Sequence, residues 1–310
     1  MNTNINDTFY RLKLNRFPKQ NKETLQAWDA ADDYLIKTMA ENNEIKESDN
    51  VLIFNDSFGA LSLSLLQNHT CNSITSVTDS INSENGLINN AIANKFELLY
   101  NSSYHPETEI TITSGATQAI YSAITAFIKP DDEVIVFRPA YDSYIPSVEL
   151  CGGKVVSIQM KHPDYGIDWN EVKTNITSKT KMIIINTPHN PSGTILSKND
   201  MLQLEKLTEG TNILVLSDEV YEHLIYDGEQ HQSACLFKGL KSRSFITASF
   251  GKTFHNTGWK IGYCCAPKEL MDEFRKVHQF NVFSVNHPIQ VALSEYLETS
   301  SHYQDLSGFF

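Results

Sequence analysis

The sequence predicts an α/β fold: a three-layer α/β/α unit around a mostly parallel sheet, preceded by a partial Rossmann-like α/β segment. Three observations predict it. From residue 109 onward, short β-rich runs alternate with stretches of helical periodicity, the pattern of strands joined by crossover helices. Those strand runs are almost continuously apolar, as strands buried on both faces are. The chain has 310 residues, enough for two domains and a sizeable core.

Taken in order, "TLQAWDAADDYLIKTM" reads as an amphipathic helix, "VLIFND" (51–56) as a strand, "SFGALSLSLL" as a helix and "SITSVTDS" (73–80) as a second strand. Asn and Ser then crowd residues 70–90, a loop-prone composition. Seven strands follow: "EITIT" (109–113), "EVIVF" (133–137), "KVVSIQM" (154–160), "KMIIIN" (181–186), "ILVLSD" (213–218), "SFITASF" (244–250) and "KIGYCCA" (260–266). Helical periodicity fills 116–128, 198–208, 269–280 and 288–299. The two textures meet near 90–100 without a Gly, Pro or Ser spacer, which divides the chain into residues 1–95 and 96–310.

A net charge of −12 argues against a dominant nucleic-acid surface. The five cysteines, at 71, 151, 235, 264 and 265, form neither a metal-ligand spacing nor an even disulfide framework, and read as reduced thiols. The N-terminal stretch lacks the apolar core of a signal peptide, and no apolar run is long enough to span a bilayer. These features predict a soluble cytoplasmic protein.

Strands of such sheets present ligand groups at their C-terminal ends, and four segments carry chemistry there. "TSGATQA" (113–119) opens a helix with small residues, so the backbone N–H groups of Gly115, Ala116 and Thr117 form an anion site. "NTPHNPSGT" (186–194) is a rigid turn in which Asn190 reads either as a turn cap or as an amide donor to a phenolate oxygen. Asp218, ending an apolar strand, reads either as a helix cap or as a buried carboxylate that keeps a heteroaromatic nitrogen protonated; Tyr221 adds a phenol three residues on. In "SFGKTFHNTGWK" (249–260), Ser249, Lys252 and Lys260 together grip a phosphate and supply a reactive amine. A lysine alone is usually a solvated surface residue. Beside positive charge and out of water, its amine attacks an aldehyde. Tyr141, in "RPAYDSY" (138–144), supplies a ring that stacks on a pyridine. Phosphate cradle, ring-nitrogen carboxylate, ring-oxygen donors and aldehyde-seeking amine describe one ligand, pyridoxal 5'-phosphate.

The order "SGATQA", "PAYDSY", "NTPHNPSG", "SDEVYE", "SFGKTFHNTGWKIGY" resembles the fold-type-I, class I/II aminotransferases, and among them the methionine, kynurenine and glutamine transaminase branch; "FSVNHP" (283–288) matches a substrate-side loop of that branch. The resemblance covers residues from about 96 to 310. It implies that Lys252 holds the cofactor as a Schiff base, that Asp218 pairs with the pyridinium, and that Asn190 and Tyr221 bind the ring oxygen. It also implies that Ser249, Lys260 and the backbone at Gly115–Thr117 take the phosphate. The implied reaction moves an amino group from an amino acid to a 2-oxo acid, with Lys252, Asp218 and Tyr221 as the catalytic set. No metal is implied.

The resemblance stops short of that family's C-terminal small domain, which carries the arginine that clamps the substrate α-carboxylate; Arg138, Arg243 and Arg275 are not at the matching place. The family's N-terminal segment has no match either. Residues 1–95 resemble instead the start of the large-subunit ribosomal RNA guanine-N2 methyltransferases, through "FYRLKLNRFP", "LQAWDAADDYLI" and "VLIFNDSFGALSLSL". The first strand is followed by a single glycine, Gly59, and Asp79 reads either as a ribose ligand or as a turn cap. Eight Lys and Arg against twelve Asp and Glu give this segment a net −4, which disfavours RNA. The whole reads as a join of two partial proteins. The expectation is a chain that binds pyridoxal phosphate through Lys252, transaminates poorly and pairs into a homodimer weaker than is usual. The alternatives are an S-adenosylmethionine-dependent RNA-modifying protein and a non-catalytic remnant.

Overall fold

A computed structural model describes residues 87–304 and Leu306–Phe309, together with four short strands nearer the N-terminus. The chain divides into two units, Met1–Glu84 and Asn85–Phe310.

In the first unit, β1 (Thr3–Asn4) pairs antiparallel with β2 (Lys13–Leu14). β3 (Asn50–Phe54) pairs parallel with β4 (Ser73–Val77), Asn50 opposite Ser73 and Phe54 opposite Val77. Both expected strands of this segment are therefore present, and their parallel pairing is that of a strand–crossover–strand unit. The two helices expected there, Gly59 and Asp79 lie outside the described residues.

The second unit is built on one seven-stranded sheet. Its strands are β5 (Ile110–Thr113), β6 (Glu133–Arg138), β7 (Lys154–Gln159), β8 (Thr180–Asn186), β9 (Leu214–Asp218), β10 (Ser244–Ser249) and β11 (Gly262–Cys265), in the spatial order β5-β11-β10-β9-β8-β6-β7. Five of them, from β10 to β7, run parallel. β11 runs antiparallel to both its neighbours, β10 and β5, so the sheet is mostly and not wholly parallel.

Side chains along a strand alternate between faces, and both faces here are dry. Val134, Val136, Met182, Ile184, Leu214 and Leu216 enter one core cluster; Ile135, Phe137, Ile183, Ile185, Ile213 and Val215 enter the other. That double burial is why the runs read as continuously apolar. The first face is covered by α2 (Gly115–Phe127), α3 (Tyr144–Leu150) and α6 (Lys268–Asn281), through Ile120, Ile124, Val148, Met271 and Phe274. The other is covered by α1 (Leu87–Tyr100), α4 (Trp169–Asn175), α5 (Lys198–Thr208) and α7 (His287–Leu297), through Ile92, Phe96, Val172, Leu204 and Leu293. The result is the expected three-layer α/β/α unit. Helices α1, α3 and α4 are additions to the sequence reading. No helix among the described residues is long and apolar enough to cross a membrane.

Candidate functional site

At the C-terminal ends of β5, β8, β9 and β10 a cavity opens, lined by Ala116, Thr117, Ile120, Tyr141, Asn186, Asn190, Asp218, Val220, Tyr221, Ser249, Lys252, Thr257 and Lys260. It therefore brings together nine of the sequence-predicted residues from five separate segments. The tenth, Gly115, stands directly behind the Lys260 ammonium: a Cβ at 115 would lie 3.3 Å from Lys260 Nζ.

Part of the lining is built as an anion cradle. Helix α2 begins here with no side-chain cap, so its first N–H groups point into the cavity without intrahelical partners. Gly115 takes φ +77°, a conformation that L side chains resist. Gly262 on β11 packs so tightly beneath that a Cβ would come within 2.6 Å of the Ala248 carbonyl oxygen and 2.9 Å of Ala116 N. Only glycine lets β11 approach this turn. Lys260 is held in the left-handed region (φ 55°, ψ 46°), a conformation that costs about 1–3 kcal/mol for a non-glycine residue, and its ammonium stands over the start of α2. The Ser249 hydroxyl accepts from Gly251 N at 3.2 Å, which leaves its own proton free to donate. Backbone N–H groups, a hydroxyl and an ammonium on one concave surface fit a phosphate.

Asp218 also lines the cavity. It is 3 % exposed and makes no ion pair among the described residues. Oδ2 accepts from the Tyr144 hydroxyl at 2.5 Å and Oδ1 from Val220 N at 3.3 Å. Burial pushes its carboxyl up to about 6, against the downward pull of those two donors. A buried carboxylate with no ion-pair partner among the described residues fits a ligand bearing a protonated nitrogen. The cap reading fails for Asp218, because β9 leads into a turn and not a helix. The Asn186 side chain ties the β8 turn to β9, donating to the Asp218 carbonyl at 2.9 Å and accepting from Asn190 N at 2.7 Å. His189 Nε2 donates to the Pro139 carbonyl at 2.9 Å, which anchors the segment carrying Tyr141. Tyr141 Oη meets Thr117 Oγ1 at 3.1 Å. Lys252 sits in a one-turn helix, Phe250–Thr253, with Nζ 5.8 Å from the centroid of the Tyr221 ring. The residues present thus supply every group that pyridoxal phosphate needs: cradle, carboxylate, ring-oxygen donors, stacking ring and amine.

Residues 67–308 match the family model of aminotransferase class I and II. The chain belongs to the class I and II aminotransferases. Residues 2–113 match a second model, that of the RLMG N-terminal domain, so two families meet in one chain, and their matches overlap between residues 67 and 113. The chain is 44% identical over 221 residues to a methionine aminotransferase of Escherichia coli, covering 71% of this chain and 57% of that protein. It is 32% identical over 235 residues to kynurenine–oxoglutarate transaminase 1 of Rattus norvegicus, covering 72% of this chain and 56% of that protein. A crystal structure of an Escherichia coli methionine aminotransferase superimposes with a TM-score of 0.71 at 35% identity, covering 93% of this chain and 75% of that chain. The N-succinyldiaminopimelate aminotransferase of Mycobacterium tuberculosis gives 0.70 at 33%, covering 72% and 59%. The chain spans about half the length of the curated relatives it matches.

In and beside the cavity lie residues that sequence reasoning missed. Tyr144 lies three positions beyond Tyr141, and that repeated aromatic was the available signal. Asn186 and Thr257 carried no signal of their own, since each acts by closing a turn; Thr257 Oγ1 donates to the Gly251 carbonyl at 3.1 Å.

The buried carboxylate has a stability consequence. Because the folded protein raises Asp218 to about 6, it binds that proton more tightly than the unfolded chain does. The contribution of this group to stability is then greatest below about pH 4 and falls as pH rises to about 6, by about 3 kcal/mol for a shift of this size. Asp218→Asn removes the titration and keeps an oxygen for Tyr144. Without cofactor, the variant is expected to be more stable than the parent by up to about 3 kcal/mol at pH 7 and no more stable at pH 4. Urea unfolding at the two pH values checks this; an equal difference at both would contradict it.

Proposed function

We propose that residues 96–310 bind pyridoxal 5'-phosphate and use it to transfer an amino group from an amino acid to a 2-oxo acid, the donor being methionine or an aromatic or glutamine-like amino acid. One observation carries the reading: the buried Asp218, which has no ion-pair partner among the described residues, lines one cavity together with Lys252 and the start of α2 at Ala116 and Thr117. The names of the methionine and kynurenine relatives support the choice of donor.

Bound there, the cofactor would supply an electron sink for negative charge at the amino acid's Cα. The chain's own residues do the rest. The α2 N-terminus, Ser249 and Lys260 hold the phosphate. Asp218 keeps the proton on the ring nitrogen, which deepens the sink. Asn190 and Tyr221 donate to the ring oxygen. Lys252 would hold the cofactor through its amine and, when that amine is free, would take the proton from Cα as a general base. A cytoplasmic setting goes with this reading, on the reduced-thiol composition noted above.

Substrate capture is weaker than cofactor capture. Among the described residues no arginine lines the cavity. Arg243 donates to the carbonyls of Thr211, Ile213 and Gly239, and Arg275 to those of Glu107 and Ile110, so neither guanidinium is free for a carboxylate. A bidentate arginine clamp is the strong way to fix a carboxylate. The 310-residue chain is therefore expected to take up pyridoxal phosphate with a visible absorption band, yet to turn over methionine at least tens-fold more slowly than a clamped transaminase does. Titration with the cofactor, followed by assay against a panel of amino acids and 2-oxo acids, tests both halves. Absence of the band overturns the function; fast turnover overturns the account of the cleft.

A further inference from the structure

Beside Asp218, and not among the residues lining the cavity, stands a phenol that the reaction as described does not use. Tyr144 is the first residue of α3 and is 3 % exposed. Its hydroxyl donates to Asp218 Oδ2 at 2.5 Å, the shortest polar contact Asp218 makes, and its ring packs edge-on against Tyr141 with centroids 5.7 Å apart. The same side chain therefore touches the carboxylate and the ring proposed to stack on the cofactor. Other titratable groups surround Asp218. Tyr141, Tyr221, Lys252 and Lys260 share its cavity, and Glu219 follows it in sequence with its carboxylate held elsewhere by Ser217, Ala234 N and His231. Of these groups only Tyr144 makes a hydrogen bond to the Asp218 side chain. A carboxylate taken out of water tends to pick up a proton, whereas a hydrogen bond donated to it favours the anion. Burial and the neighbouring anion keep the Tyr144 phenol protonated far above the usual range, so it remains a donor at every working pH.

We propose that Tyr144 is a positioning residue for Asp218: its hydroxyl fixes the carboxylate and holds it ionised before a ligand arrives, so that a protonated ring nitrogen meets an anion already oriented toward it. The inference rests on the cofactor reading of the cavity, but its test does not. A purely structural tyrosine would alter stability and leave the Asp218 titration where it is.

The experiment is infrared difference spectroscopy on the cofactor-free chain as a function of pH, with the protonated-carboxyl band of Asp218 assigned by its loss in Asp218→Asn. Tyr144→Phe is expected to move the titration midpoint up by about one to two pH units, as removal of one hydrogen bond to a charged group does. Replacing Tyr144 with 3,5-difluorotyrosine gives a stronger donor of nearly the same shape and is expected to move the midpoint down. Opposite shifts support the proposal. An unmoved midpoint, or shifts in the same direction, overturns it. The fluorinated protein decides the matter by itself if the phenylalanine variant does not fold. Failure of the parent to take up pyridoxal phosphate would overturn the function proposed above and leave this titration intact.

Discussion

Lys252→Ala is expected to abolish covalent attachment of pyridoxal 5'-phosphate and to leave the fold standing. After borohydride reduction of the loaded protein, mass spectrometry should find the phosphopyridoxyl mass on the peptide bearing Lys252 in the parent, and on no peptide in the variant. The effect is all-or-none because the lysine's backbone is fixed independently of its side chain. Phe250 is buried, packs against Tyr263 with ring centroids 5.3 Å apart, and accepts from Phe254 N at 2.8 Å. Thr253 Oγ1 donates to the Ser249 carbonyl at 3.2 Å. At Gly251 an added Cβ would lie 2.9 Å from Thr257 Cα, so the turn has no slack. Alanine suits a helical turn, and truncation at this half-buried position changes stability by little more than about 0.5 kcal/mol.

Lys260 does not take over. Its ammonium is committed to the start of α2, beside Gly115, and a phosphate placed there occupies it. The cradle, Asp218 and Tyr221 survive the substitution, so the variant should still bind the cofactor reversibly, with weaker retention on dialysis. A label found on Lys260 in the parent, or unchanged labelling in Lys252→Ala, would sink the assignment of the amine.

What could be read from the sequence was what local pattern encodes. The strands were legible because burial on two faces leaves unbroken apolar runs in β6 (134–137), β8 (182–185) and β9 (214–216), and β9 ends where "LSD" places Asp218. The cavity residues were legible because each sits at a strand end or at the opening of a helix, where spacing along the chain maps directly onto position in the sheet. What depends on distant partners was hidden. Nothing in "KIGYCCA" says that β11 runs against its neighbours and inserts between β5 and β10. Tyr144 was not singled out, because its partner Asp218 is 74 residues away. Helix α1 was obscured by Asn89, Asn90 and Asn94 and by a lysine on what proves to be its buried side. A lysine is an exposed residue by default, and only a carboxylate 127 residues distant makes Lys95 a core residue.

That lysine carries the other large effect. Lys95→Met is expected to destabilise the protein by about 3–5 kcal/mol at neutral pH, a large share of the roughly 5–15 kcal/mol that separates a folded domain from its unfolded chain. Lys95 and Glu222 are 2 % and 5 % exposed and form an ion pair at the heart of a polar cluster. Lys95 Nζ also donates to Tyr263 Oη at 2.8 Å. Glu222 accepts from Tyr263 Oη at 3.0 Å on Oε1 and from Tyr100 Oη at 2.7 Å on Oε2. Burial by itself would raise the Glu222 carboxyl; Lys95 overrides it and holds that carboxyl well below the usual carboxylate range. In the parent, burial and then the neighbouring Lys95 push His223 down to about 4, against the upward pull of Glu222, so Lys95 is the cation of the cluster near neutrality. In the parent, the depressed carboxyl adds stability that is present above its unfolded value of about 4.3 and is lost as pH falls below it. Without Lys95 the sign reverses. The carboxyl then titrates above its unfolded value, so each step up in pH costs folding energy until the group is fully ionised. The gap between parent and variant should therefore widen from pH 5 to pH 8 in urea unfolding followed by tryptophan fluorescence. Lys95→Met combined with Glu222→Gln removes both charges and should regain most of the loss, because the penalty lies in the stranded ion and not in the missing contact. Additive losses with no pH dependence would show that Lys95 matters only as packing. The cluster also bears on the site. Glu222 directly follows Tyr221 and lies four residues beyond Asp218, so the ion pair clamps α1 to the segment that carries both; a variant that loosens it should weaken cofactor binding without touching any residue of the cavity.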